Sequence, residues 1–284
     1  MRKERRLPAQ TVTYLLLVIC TVLVLLPVLY TLGNSFMSAS EINRYYGRIN
    51  LPGKQTLFHI FPDQFYMNAY YQILFRRSNY LIKFWNSLVY SFLIVGGQVI
   101  ISCLAGYAFA RFRFPGRDAL FFLVIILMMM PYQVTLVPNY IVLDRMRLLG
   151  NWAAVILPAV FSPFGVFIMR QSAVSIPNEI LESAQLDGAN QGRSLFRIVV
   201  PMCKGGLFSL VILSFIDTWN MVEQPLVFLE RQSQYPLSIF LSQMNAAAPE
   251  LGFACGILAM LPVVLLFCYF EREMVEGITI SSLK

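Results

Sequence analysis

Phe84–Ala110 reads FWNSLVYSFLIVGGQVIISCLAGYAFA, 27 residues without one Asp, Glu, Lys or Arg. A helix needs about 20 mostly apolar residues to cross a hydrocarbon layer about 30 Å thick, so this stretch predicts a membrane-spanning helix. Four further charge-free runs of at least 20 residues accompany it: Leu7–Ser40, Ala119–Leu143, Leu148–Met169 and Leu251–Phe270. A sixth stretch, Gly205–Phe228, is apolar apart from Asp217 and Glu223. Carboxylates inside a membrane span are costly and therefore flag function. The predicted fold class is all-α, a polytopic membrane protein with six transmembrane helices.

Composition agrees. Of 284 residues, 57% are hydrophobic and only 13% charged, against roughly a quarter charged in a soluble domain. An ordinary soluble enzyme is excluded. With 14% aromatics and basic residues that are scattered rather than clustered, disorder and nucleic-acid binding fit poorly. The net charge of +7 is explained by Lys and Arg gathering at cytoplasmic helix ends, facing anionic membrane lipid.

Orientation follows from the connecting segments. With the N-terminus inside, the cytoplasmic pieces hold Arg2, Lys3, Arg5, Arg6, Arg111, Arg113, Arg117, Arg170, Arg193, Arg197, Lys204, Arg272 and Lys284, thirteen of the 22 basic residues. Six of the others fall in the long 33–83 segment, where the charge rule is weak. The expected topology is N-in and C-in. The first run is longer than a signal-peptide core and no small-residue cleavage pattern follows Tyr30, so it is read as a real helix.

Cys20, Cys103, Cys203, Cys255 and Cys268 show no C-x-x-C spacing; four fall in spans and Cys203 in a cytoplasmic segment, which predicts no disulfide framework. The single histidine, His59, has no second histidine for a zinc site and reads as a loop residue. Pro131, Pro138, Pro158, Pro163 and Pro262 lie within spans as potential breakers, and such kinks suit transport pathways, although proline is simply commoner in membrane helices and that reading is preferred for any one of them. The 33–83 segment is rich in aromatics, including Tyr45, Tyr46, Phe58, Tyr66 and Tyr71, and is expected to fold against the outer helix ends.

Between spans four and five the chain reads SIPNEILESAQLDGANQGRSLFRIVVP, Ser175–Pro201. Ser175 as a cap, Pro177 in the first turn, and Glu179 and Glu182 near the positive end of the dipole predict a helix start. Gly188 predicts its stop, because glycine takes left-handed backbone conformations cheaply. A second helix is expected from about Gln191, carrying Phe196 and Ile198 towards Pro201. The product is a rigid knob on the cytoplasmic face.

Glu182, Ser183, Ala184, then Gly188, then Ile198 to Pro201 resembles the EAA signature of ABC-importer permease subunits. Asp187-Gly188-Ala189 and the preceding Arg170, Gln171, Ile176 and Pro177 are similar to the carbohydrate branch, that of the maltose and glycerol-phosphate permeases. Asn86-Ser87, Ala105–Arg111, Pro131–Tyr140, Trp219-Asn220 and Gly277-Ile278-Thr279 agree with that branch, and the likeness covers about Phe61 to Ile280. Ser183 stands for the first alanine of the motif, Val200 for its leucine, and Gly205 where a second proline is common.

The resemblance implies a MetI-like transmembrane fold, and it implies that Glu182, Ser183, Ala184, Asp187, Gly188, Ala189, Ile198 and Pro201 belong to a coupling helix seated in a separate ATPase subunit. It implies uptake of a mono- or oligosaccharide through a path shared with a second permease. Two ATPase subunits would carry ATP and Mg, and an extracellular solute-binding protein would deliver substrate. No cofactor is expected on this chain, which has no G-x-x-x-x-G-K-[ST] loop. The location implied is the bacterial cytoplasmic (inner) membrane, multi-pass. The expected organisation is an N-terminal tail and first helix at 1–32, an extracytoplasmic segment at 33–83, the permease core at 84–270 with the coupling segment at 175–201, and a cytoplasmic tail at 271–284.

Asp217 near the centre of span five, Asn220 three residues on and Glu223 six residues on form a polar stripe; Trp219 is nearby and Asn86 opens span two. Carboxylates and amides bond sugar hydroxyls and aromatic rings stack on apolar sugar faces, which suits a substrate path. A helix-packing cluster bonded to Gln98 or Asn86 fits the same residues equally well. A stand-alone secondary transporter or channel is the alternative function; it would be expected to show an internal repeat, and none is evident. A membrane enzyme is disfavoured by the single histidine and the lack of H-E-x-x-H and G-x-S-x-G.

Overall fold

A computed structural model describes residues 6–46, 59, 61–76 and 78–282. Arg2, Lys3, Arg5, Arg48, Phe58, Arg77 and Lys284 lie outside the described residues. Among the described residues the chain is helical, with no strand. In order the helices are α1 (Arg6–Asn34), α2 (Ala39–Tyr46), α3 (Asn68–Tyr71), α4 (Ser78–Arg111), α5 (Arg117–Met129), α6 (Tyr132–Arg145), α7 (Trp152–Val160) and α8 (Pro163–Val174). They continue with α9 (Asn178–Leu186), α10 (Gln191–Ser194), α11 (Val200–Met202), α12 (Lys204–Trp219), α13 (Glu223–Phe228), α14 (Leu237–Ala247) and α15 (Pro249–Ser282).

Four helical stretches are long and apolar enough to cross a membrane: Thr11–Asn34, Asn79–Arg111, Trp152–Val174 and Glu250–Glu271. Two more pass only as bent pairs, α5 with α6 at 105° and Gln191–Met202 with α12 at 79°. The run Ala119–Leu143 is therefore not one rod with incidental prolines. Met130 is extended (ψ 127°) ahead of Pro131, as the clash with a proline ring requires, and α6 starts afresh after it. Pro27, Pro138, Pro158 and Pro262 by contrast stay inside helices. The fourth run is interrupted at Phe161–Ser162, where Ser162 Oγ accepts the Gly165 N–H (3.0 Å) and Pro163 opens α8. Stretch Gly205–Phe228 is likewise no single helix: α12 ends at Trp219 and α13 begins at Glu223.

The chain divides into two compact units, Met1–Leu81 with Leu241–Met260, and Ile82–Phe240 with Leu261–Lys284. In the first, α1 presents exposed apolar side chains around its whole circumference from Val12 to Leu29, which suits lipid on all sides. After Asn34 the chain turns into α2 through a reciprocal capping box: Ser38 Oγ accepts the Glu41 N–H (3.2 Å) and Glu41 Oε2 accepts the Ser38 N–H (3.3 Å). Tyr30 meets Tyr46 and Phe253 edge-on at about 6 Å.

The second unit is a bundle closed by small residues. A Cβ on Gly106 of α4 would stand 2.7–2.9 Å from Met169 and Arg170, and one on Gly97 would meet Val160 at 2.7 Å. Gly165 of α8 lies as tightly against Ser102, and Gly206 of α12 against Ser172. Such contacts let helix backbones approach where hydrophobic exclusion of water cannot drive packing. Aromatic contacts complete it: Phe121 packs on Phe109 (5.6 Å) and Phe167 (6.3 Å), with the Arg170 guanidinium 3.9 Å above the Phe121 ring. All five cysteines are free, and Cys103 and Cys203 share one buried cluster.

Candidate functional site

Segment 175–201 forms the expected knob, with one correction at its start. Ser175 is helical (φ −71°, ψ −14°) and ends α8, its hydroxyl donating back to Ser172 O at 2.7 Å. A capping residue must instead leave the helical region, and Pro177 (φ −58°, ψ 140°) does so. Helix α9 thus starts at Asn178, with Glu179 in its first turn.

Its end is as predicted. Gly188 has φ +83°, which an L side chain rarely adopts. The Gly188 N–H donates to Gln185 O (3.0 Å) and the Ala189 N–H to Ala184 O (2.9 Å), the paired bonds of a Schellman closure. Asn190 then caps α10, its Oδ1 accepting the Arg193 N–H at 2.8 Å. A single π-turn, Leu195–Val199, leads into α11 and Pro201, and the chain bends at Cys203 into α12.

One side of the knob is held to the bundle. Leu181, Leu195 and Val199 are buried with Cys103, Tyr107, Met169, Ala173 and Leu210. Arg111, the last residue of α4, clasps it: one guanidinium nitrogen donates to Ala173 O (2.6 Å) and Ile176 O, the other to Asn178 Oδ1. Tyr107, one turn earlier, donates its hydroxyl to Gln191 Oε1 at 2.8 Å. This clasp was not read from sequence, although Ala105–Arg111 stood out there; a basic residue ending a span otherwise counts only towards orientation. A cavity of about 370 Å³ lies between, lined by Tyr107, Arg111, Arg113, Asn178, Glu182 and Gln191.

The other side is open. Ser183, Asp187, Gly188 and Pro201 are exposed, as is Glu182 at the rim of that cavity, while Ala184, Ala189 and Ile198 are half-buried. Leu186 is 89% exposed and Phe196 64%, apolar side chains left on a polar surface. No atom stands within 4 Å of a Cβ built on Gly188.

The polar-stripe residues separate into two groups. Asp217, Asn220 and Glu223 are exposed, but not on one continuous helix: Asn220 terminates α12, its side chain bonded to Ile216 O (2.8 Å), and Glu223 opens α13. Asp217 is two residues from the end of α12, not at mid-span. Glu223 accepts from Gln133 of α6 (3.1 and 3.2 Å), a partner the sequence did not suggest. Trp219 and Asn86 are interior. Trp219 packs on Phe215 (5.4 Å) and Phe84 (5.7 Å). Asn86 donates to Ser233 O (2.7 Å) and Tyr235 O (3.0 Å), and Gln98 to Ala159 O (2.7 Å).

Residues 98–272 match the family model described as binding-protein-dependent transport system inner membrane component. The chain is 30% identical over 226 residues to the arabinooligosaccharides transport system permease protein AraQ of Halalkalibacterium halodurans, covering 78% of this chain and 81% of that protein. It is 31% identical to AraQ of Bacillus subtilis, covering 75% and 78%. It is 26% identical to the sn-glycerol-3-phosphate transport system permease protein UgpE of Brucella abortus, covering 97% and 98%. Its fold matches a chain of a bacterial ABC transporter involved in the import of the acidic polysaccharide alginate, with a TM-score of 0.81 at 20% identity, covering 96% of this chain and 98% of that one.

Proposed function

The chain belongs to the binding-protein-dependent transport system inner membrane components, and from that membership we propose that it is the permease subunit of an ATP-driven importer of a mono- or oligosaccharide. It is a transport subunit, with ATP and Mg bound by partner ATPases. The observation that carries the reading is the knob at 175–201, a helix closed by its own main chain, clasped to the bundle by Arg111, with its far face exposed. That is the form a lever needs if it is to pass motion from a partner to membrane helices.

The proposed topology has six spans, N-in and C-in, with the broken pairs α5/α6 and α10–α12 each counted as one. The proposed divisions are 1–32, 33–83, 84–270 and 271–284, with the knob on the cytoplasmic face. Glu182, Ser183, Ala184, Asp187, Gly188, Ala189, Ile198 and Pro201 form the ATPase-coupling segment. Asp217, Asn220 and Glu223 are the proposed contacts along the substrate path, and Trp219 and Asn86 support that region from within. The proposed partners are a second permease, two ATPase subunits and an extracellular solute-binding protein, assembled in the bacterial cytoplasmic membrane. The arabinooligosaccharide systems among the relatives support an oligosaccharide as substrate.

Gentle extraction of the tagged chain from its native membrane, followed by mass spectrometry, tests the assignment. Recovery of an ATPase subunit and a second permease is the expected result. Recovery of the chain alone, still competent for flux in vesicles without ATP, would overturn it.

A further inference from the structure

His59, read from sequence as an isolated loop residue, has company in the folded chain. Its Nε2 lies 3.2 Å from Asp63 Oδ1, and a carboxylate oxygen of Glu41 joins them, all three ligand atoms within 4.8 Å of one another. The three come from different places: Glu41 from α2, His59 and Asp63 from the segment beyond it.

Each is held. Tyr45 stacks on the imidazole (4.2 Å, 10°) and Tyr46 donates its hydroxyl to His59 O at 2.6 Å. Asp63 accepts from the Tyr45 hydroxyl at 3.3 Å, while its own N–H donates to Glu41 Oε1 at 2.6 Å. The capping box fixes Glu41 Oε2. Glu41 is only 6% exposed, and among the described residues no basic side chain lies within ion-pair distance of it. Main-chain donors at the first turn of α2 orient its carboxylate and bring only the partial positive charge of a helix N-terminus. A buried carboxylate gains from a cation beside it, and Asp63, itself exposed, brings a second negative charge to the same place.

One imidazole nitrogen and two carboxylate oxygens suit a first-row divalent ion such as zinc. Its ligands stand about 2.0–2.2 Å from the metal, hence about 3.4 Å from each other in a tetrahedron, with water in the fourth position. The His59–Asp63 separation, 3.2 Å, is close to that value, and no pair of ligand atoms is wider than 4.8 Å. A polar cavity of about 270 Å³, lined by Ser38, Glu41, Arg44, Asp63 and Tyr66, opens onto the two carboxylates. We propose that Glu41, His59 and Asp63 form a binding site for a divalent transition cation of the zinc class, fastening α2 to the segment that follows it.

The test uses the whole transporter complex, carrying a non-histidine affinity tag, stripped with chelator and placed in lipid nanodiscs. Because His59 is the one histidine of this chain, its acylation by diethylpyrocarbonate is read from a single peptide. Zinc is expected to slow that acylation at least tenfold, with calcium and magnesium without effect. After reloading with zinc and removal of the excess, elemental analysis is expected to find one zinc fewer per chain in His59→Ala than in the unsubstituted complex. Equal zinc content in the two, no protection of His59, or equal protection by calcium would each overturn the proposal. If His59→Ala fails to insert, protection of the unsubstituted complex decides alone.

Discussion

Replacing Arg111 by Ala removes every hydrogen bond that the end of α4 makes to Ala173, Ile176 and Asn178. A hydrogen bond from a charged group contributes about 1.5–3 kcal/mol when buried. Arg111 is half-buried, so water takes over part of each, leaving about 1 kcal/mol apiece and about 2–3 kcal/mol in all. At 1.4 kcal/mol per tenfold, undocking of the knob becomes roughly 30- to 150-fold more frequent. Hydrogen exchange by mass spectrometry on the assembled transporter reads this directly: amides of Asn178–Leu186 should exchange faster by that factor while those of α15 do not change. Arg111→Lys should fall between, because one ammonium cannot span three acceptors as the planar guanidinium does. Uptake should fall more than ATP hydrolysis. Exchange within threefold of the unsubstituted chain would refute the clasp, whatever happened to uptake.

Other expectations follow from contacts described above. Gly165→Ala drives a Cβ into Ser102 and to 2.9 Å from Leu210, costing about 1–3 kcal/mol as overpacking. Ser102→Ala, which deletes a buried hydroxyl oxygen with no hydrogen-bond partner, should recover part of that; additive melting shifts in the double variant would refute the contact. Gly188→Ala should lower stability by about 1 kcal/mol through its left-handed backbone. Gly188→Trp, with open space around it, should insert at normal levels and abolish uptake; normal uptake would sink the coupling assignment. Asp217→Leu should alter substrate affinity or transport rate in proteoliposomes, and unchanged uptake would remove Asp217 from the path.

What could be read ahead of the structure depended on whether the signal was local. Phe84–Ala110 became the long helix α4, and Leu251–Phe270 lies within α15, because hydropathy over 20 residues registers length directly. Gly188 was legible because its backbone angle is a property of one residue. Hydropathy carries no direction, however, and although proline marks where a span can kink, nothing local distinguishes Pro131, where the chain turns by 105°, from the prolines that only sit within helices. Ser175 illustrates a near miss: a serine two residues before a proline can finish one helix or start the next, and the backbone angle decides. The Arg111 clasp joins residues 62 to 67 positions apart, the Gln133–Glu223 pair 90, and Glu41 lies 18 and 22 positions from His59 and Asp63, which are themselves only four apart. No spacing rule reaches that far, and a lone histidine advertises nothing until its neighbours arrive.

The knob also bears on where a transmission of this kind gives way. Elements joined end to end act as springs in series, and the softest takes up most of any displacement. From Asn178 to Asn190 the main chain closes on itself, Arg111 ties it at the base, and there is little backlash. At Cys203, between a three-residue helix and α12, the axis instead turns by 79°. Strain applied at Leu186 or Phe196 reaches α12 along the chain through that elbow, and the stiffness of the elbow, more than the hardness of the tip, would set how far α12 moves for a given push.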